Sequence, residues 1–211
     1  MLEIQPVELE LTQIAKTYGR RRALRGVSLA VTGGEVVVVS GPNGSGKSTL
    51  LKIVAGLLRA TGGAVTMRLG GRPLDPAERR RSVGYASPDL SLYTELTGRE
   101  NLRFFAAVRG LPHSFDRGES LLDTVGLTGR GDEFVSAYSS GMRQRLRLAF
   151  ALLHEPRVLL LDEPSATLDE EGVELVRRIV ADHAASGGLA LLATNDPREK
   201  AFGERSLVLG N

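Results

Sequence analysis

The sequence predicts an α/β fold: a mostly parallel sheet, an antiparallel β edge and a helical sub-domain inserted in the middle. Three observations carry this. Residues 7–14 and 27–31 alternate between apolar and polar positions with turn residues between them, which suits strands of an edge sheet. Residues 35–40 centre on a continuous β-branched run, Val36 to Val39, as expected of a strand buried on both faces. Helical spacing at 99–108, 118–125 and 140–153 interrupts strand signals that resume at 157–161.

The remaining elements follow in order. Residues 47–58 read as a helix after a Gly-rich loop, ended by Gly62 and Gly63. Short strands are expected at 64–69 and 82–86, and the helical sub-domain spans about 88–151. A helix at 170–186 and strands at 189–194 and 206–209 complete the pattern. With 211 residues the chain has the length of one domain, read as residues 1–211 with that insertion.

Composition narrows the function classes. There is no cysteine, which excludes disulfides, thiolate metal sites and cysteine nucleophiles. A net charge of +2 is too small to argue for nucleic acid, and no nucleic-acid partner is expected. The Arg20–Arg22 and Arg79–Arg81 clusters read as solvated charge. Residues 1–11 carry Glu3, Glu8 and Glu10 and do not form a secretory signal. No apolar run approaches the ~20 residues of a membrane-spanning helix, so a role in transport requires a membrane partner.

Two motifs carry chemistry. Gly41-Pro42-Asn43-Gly44-Ser45-Gly46-Lys47-Ser48-Thr49 matches the phosphate-binding P-loop, with a buried strand before it and a helix after it. Its glycines let backbone N–H groups turn inward around phosphate oxygens, and the helix start adds its positive dipole end. Lys47 supplies a full charge to the β- and γ-phosphates, and the Ser48 hydroxyl is a ligand for Mg²⁺. The second motif is an apolar strand, 158–161, ending in Asp162, Glu163 and Pro164. It sets two carboxylates at the carboxyl edge of the sheet, where open α/β folds bind ligands. Asp162 is expected in the magnesium shell, and Glu163 as the general base for the attacking water. ATP and Mg²⁺ are therefore the expected ligands of a P-loop core.

A third segment points to a family. Tyr138-Ser139-Ser140-Gly141-Met142-Arg143-Gln144-Arg145 resembles the signature motif of ABC-type ATPases, and Ser165-Ala166-Thr167-Leu168-Asp169 resembles their D-loop. The resemblance covers nearly the whole chain. It implies that two such domains, identical or not, face each other head to tail, each ATP held between one P-loop and the other's signature motif. Ser139 and Gly141 would then offer a hydroxyl and a backbone N–H at a helix N-terminus. Tyr18 stands where the family places an aromatic that stacks on adenine.

The sequence departs from the family pattern at three places. The signature reads Ser-Ser-Gly-Met, yet keeps both donors. Pro88 falls where a glutamine usually reaches the magnesium, with Asp89 beside it as a substitute acceptor. Asn195 replaces the switch histidine; it can donate to the γ-phosphate but cannot become cationic, which implies slower hydrolysis with ATP binding intact.

The resemblance implies an energy subunit of a membrane transporter, bound through permease subunits to the cytoplasmic face of the cell membrane. The coupling surface is expected near 88–101, with Leu90, Leu92, Tyr93 and Leu96 either seating a partner helix or forming local core. The short chain is similar to the ATP-binding subunit of the haem exporter of cytochrome c maturation, and to drug-export subunits; no feature suggests a binding-protein-dependent importer, so export is the expected direction. A soluble mechanical ATPase and a slowly hydrolysing nucleotide-binding regulator remain the alternatives.

Overall fold

A computed structural model describes residues 5–111 and 115–210; Glu3 and the other first residues lie outside it. Two sheets organise the chain. Strands β1 (Val7–Tyr18), β2 (Arg21–Thr32), β4 (Gly62–Leu69) and β5 (Arg72–Pro73) form an antiparallel sheet in the order β2-β1-β4-β5. Strands β3 (Val36–Ser40), β6 (Val83–Ala86), β7 (Val158–Asp162), β8 (Leu189–Ala193) and β9 (Arg205–Val208) form a parallel sheet in the order β6-β7-β8-β3-β9.

The parallel order positions the site. Strand β8 lies between β3 and β7, with Val39 opposite Ala193 and Ala193 opposite Asp162. The loops that leave the carboxyl ends of these three strands therefore converge on one edge. All residues of β7 and β8 are buried, because helices cover both faces of the sheet. Helix α1 (Lys47–Val54) packs in the same apolar core as Val37, Val39 and the antiparallel sheet. A second core joins β7 and β8 to the other helices, α3 (Gly98–Val108), α4 (Phe115–Thr124), α5 (Ser140–Leu152) and α6 (Glu170–Ala185). Helices α3 to α5 occupy the chain between β6 and β7, and α5 packs along β6.

The differences from the expected elements have local causes. Strands β1 and β2 are longer than expected and meet in a tight hairpin, with Tyr18 paired to Arg21. A bulge at Gln13, whose φ is 50°, had hidden the continuation by breaking the alternation. Helix α1 stops at Val54 rather than continuing to residue 58, since Gly56 turns into the left-handed region at φ 73°. Helix α2 (Pro76–Ser82) was not expected. Its start is a capping box in which the Asp75 side chain accepts from the Glu78 N–H and the Glu78 side chain accepts from the Asp75 N–H.

Candidate nucleotide site

The P-loop bends tightly between β3 and α1. A side chain at Gly41 (φ 143°) would put its Cβ 2.3 Å from the Leu209 carbonyl oxygen, and one at Gly46 (φ 102°) 2.5 Å from that of Ala23. Only glycine fits either position. Gly46 caps α1, so the first helical N–H groups open toward the loop. Lys47 is buried, with 6% of its surface exposed. Its Nζ donates to the Gly41 carbonyl at 2.8 Å and to Asn195 Oδ1 at 3.1 Å, and lies 4.0 Å from Glu163 Oε1. Pro42, Asn43, Gly44 and Ser48 are exposed and Ser45 and Thr49 half-buried around this charge; the buried Ser45 Oγ has no hydrogen-bond partner.

The acidic pair ends β7. Asp162 is 4% exposed, and its Oδ1 has no hydrogen-bond partner. Burial pushes its carboxyl above the ordinary value, against the pull of the Ser48 hydroxyl and the Lys52 ammonium. Tyr85 Oη approaches Oδ2 to 3.5 Å. Glu163 takes a left-handed backbone conformation, φ 47°, costly for a residue with a side chain. Its N–H donates to the Ala193 carbonyl at 2.8 Å, which turns the side chain toward Lys47.

A raised carboxyl pKa in the folded chain has a definite sign. The ionised, unliganded Asp162 opposes folding above the carboxylate range, and that penalty fades as pH falls through it. Asp162→Asn should therefore melt higher than the parent near neutral pH without metal, lose part of the gain on acidification, and lose Mg²⁺-dependent turnover. A lower melting temperature at neutral pH would contradict this account.

Asn195 joins the two motifs. Just past β8, it accepts from Lys47, donates through Nδ2 to Asn43 Oδ1 at 2.6 Å, and donates its backbone N–H to Glu163 Oε2 at 3.4 Å. Tyr18 is 48% exposed at the end of β1, its ring 5.1 Å from Lys16 Nζ. The paired Arg21 holds this hairpin to the P-loop by donating to the Gly44 carbonyl at 3.1 Å. Asp89 lies exposed beside α1. Lys52 Nζ donates to its Oδ2 at 2.8 Å, and this bond holds the exposed carboxyl below its usual value.

The signature residues stand apart from the P-loop. Ser139 caps α5 by accepting the Met142 N–H at 3.1 Å, and Ser139 and Ser140 are exposed. Thr167 Oγ1 donates to the Ser140 carbonyl at 3.4 Å, and Gly141 faces the Thr167 carbonyl. Among the described residues, the hydrogen bonds of Tyr138–Arg145 run to its own helix, to the preceding chain at Val125, Arg130, Val135 and Ser136, and to Pro164 and Thr167, none to the P-loop. Two supporting residues escaped sequence reasoning. Buried Gln144 donates to the Pro164 carbonyl at 2.9 Å, and buried Glu199 accepts from Ser165. The only sequence signal for Gln144 was its place in the signature motif, and Glu199 had none.

A model of the ABC transporter family matches residues 24–166. The chain belongs to that family. It is an ABC-type ATP-binding domain. Among curated relatives, the linearmycin resistance ATP-binding protein LnrL of Bacillus subtilis (strain 168) is 34% identical over 198 residues, covering 92% of this chain and 63% of the relative. The sulfate/thiosulfate import ATP-binding protein CysA of Synechococcus elongatus is 40% identical over 167 residues, covering 77% of this chain and 48% of the relative. The chain thus spans about half to two thirds of the length of these relatives. The dimeric ATP-binding cassette MJ0796, solved in a post-hydrolysis state with ADP and Pi, superposes with a TM-score of 0.82 at 27% identity, covering 95% of this chain and 94% of that one. One relative is named for import and neither for haem, so the expected likeness to a haem exporter and the preference for export gain no support.

Proposed function

We propose that this ABC-family chain hydrolyses ATP as the energy-supplying subunit of a membrane transporter, with two ATPase domains closing on shared nucleotide. The observation that carries this is the division of the site. Lys47, Asp162, Glu163 and Asn195 meet at the P-loop, while among the described residues the helix N-terminus at Ser139–Gly141, exposed at both serines, makes no hydrogen bond to it. A second copy or a related domain completes the phosphate cradle from outside. The dimeric MJ0796 cassette supports that pairing.

The donor set suits Mg²⁺. Asp162 Oδ1 is buried without a partner, the Ser48 hydroxyl is at hand, and both are hard oxygen ligands. Among the described residues no cluster of three acidic or histidine side chains can hold a metal unaided, which fits an ion that arrives with phosphates. Bound there, Mg²⁺ would neutralise charge on the β- and γ-phosphates. Lys47 holds those phosphates from the loop side, and Tyr18 stacks on the base. Glu163 accepts a proton from the attacking water as the new P–O bond forms, and the bond to the ADP oxygen breaks with its electron pair. Asn195 orients the γ-phosphate as a neutral donor.

A groove of about 760 Å³ lies beside this machinery, lined by Leu57, Tyr85, Leu90, Val108, Leu111 and Phe150. Leu57 and Val108 are largely exposed in it. Tyr93 meets Phe104 edge-to-face, both residues staying exposed, and Leu92 packs on the second core, so of the expected contacts Leu90 faces the groove. A segment of the membrane partner seated there would hold the chain at the cytoplasmic face of the membrane and feel closure through 83–90. Cargo and direction then rest with that partner.

The test is Mg²⁺-dependent phosphate release against protein concentration, with Asn195→His run alongside. A rate per chain that rises with concentration is expected, and a further rise in the histidine variant. A rate per chain independent of concentration would overturn the shared site.

A further inference from the structure

Glu199 is the most deeply buried carboxylate that the proposed chemistry leaves unused. It is 1% exposed, and burial pushes its carboxyl above the ordinary value. Such a group is retained at a cost unless its bonds matter. Its Oε1 accepts from the Ser165 N–H at 2.9 Å and also from the Ser165 hydroxyl. Ser165 is itself 1% exposed, and its carbonyl accepts the Leu168 N–H at 2.9 Å, so Glu199 anchors the turn that presents Thr167 to the signature helix.

The other end of the connection is equally short. Glu199 donates its N–H to the Asp196 carbonyl at 3.2 Å. The Asp196 N–H donates to Thr194 Oγ1 at 2.9 Å, and the Asp196 carboxylate accepts from the Arg198 N–H at 2.8 Å and from its guanidinium at 2.6 Å. Residues 194–199 are thus tied into one compact turn, and Asn195 within it touches Lys47, Asn43 and Glu163. A shift of Asn195 toward a phosphate has little slack to absorb it before Glu199.

We propose that Glu199 is a positioning residue that couples the switch segment at Asn195 to the turn 165–169, so that nucleotide at one P-loop sets the posture of the surface offered to the second domain. This rests on the shared-site reading for its purpose, but not for its test.

The test is amide hydrogen exchange across 163–169 in dilute chain, with and without Mg²⁺ and β,γ-imido-ATP. Dilution keeps a single copy, so a failure of pairing leaves the readout intact. In the parent the analogue is expected to slow exchange in this segment. In Glu199→Ala the analogue should bind with unchanged affinity yet no longer slow it, and the Ser165 amide should exchange about tenfold faster, as for loss of a hydrogen bond to a charged group. Glu199→Gln keeps an acceptor oxygen and should restore the response. A response that persists in Glu199→Ala, or is absent in the parent, overturns the coupling. Equal loss in both variants with a matching fall in melting temperature makes Glu199 a folding residue only.

Discussion

Glu163→Gln should lower Mg²⁺-dependent ATP turnover by about 10²- to 10⁴-fold, the range attached to a positioned general base. Nucleotide affinity should hold. The substitution keeps size and shape, and the backbone that aims the side chain is fixed independently by the bond from its N–H to the Ala193 carbonyl. The amide oxygen can still accept the Asn195 N–H, so the network joining β7 to β8 survives. What is lost is basicity at the carboxylate that, among the described residues, lies near both Lys47 and Asn195. Because ATP then persists, any closed pair it induces should accumulate and elute as a dimer in Mg²⁺ and ATP. Retention of more than about a tenth of the parent rate would remove Glu163 from the base role, since a general base contributes at least a hundredfold.

The site was legible where chemistry is written in contiguous residues. The P-loop needs glycines at fixed offsets from Lys47, and the acid pair needs an apolar strand ending at Asp162; both requirements are local. Asn195 was legible by resemblance, and the structure adds that β8 places it between the two motifs. Contacts made by topology were not legible. Glu199 meets Ser165 across α6 and β8, and nothing in its polar sequence surroundings marks it as buried. Asp89 was placed by position along the chain, and its bond from Lys52 on α1 is a tertiary contact that no local pattern shows. Helix α2 is a different case. Its capping residues Asp75, Pro76 and Glu78 are contiguous, but the three arginines behind them read as loop charge and concealed the helix.

Lys47→Met should weaken nucleotide binding by about thirty- to a few thousand-fold, since removing one partner of a buried charge contact costs about 2–5 kcal/mol and each 1.4 kcal/mol is a decade. Methionine retains much of the apolar stem, so the change isolates the ammonium. That charge is held ready by the Gly41 carbonyl and Asn195 Oδ1, two neutral acceptors that surrender it to phosphate without leaving an unpaired carboxylate. Glu163, at 4.0 Å, is too far for a close pair, so binding does not first require breaking a strong ion pair. Lys47→Arg should fall on the same side as Lys47→Met. A guanidinium cannot enter the space between Gly41 and Asn195 as a point charge, and its planar fork would displace the loop. Titration of a fluorescent ATP analogue reads both variants. Affinity within threefold of the parent in Lys47→Met would mean that the loop's backbone N–H groups and the start of α1 suffice to hold the phosphates, and that Lys47 serves the transition state alone.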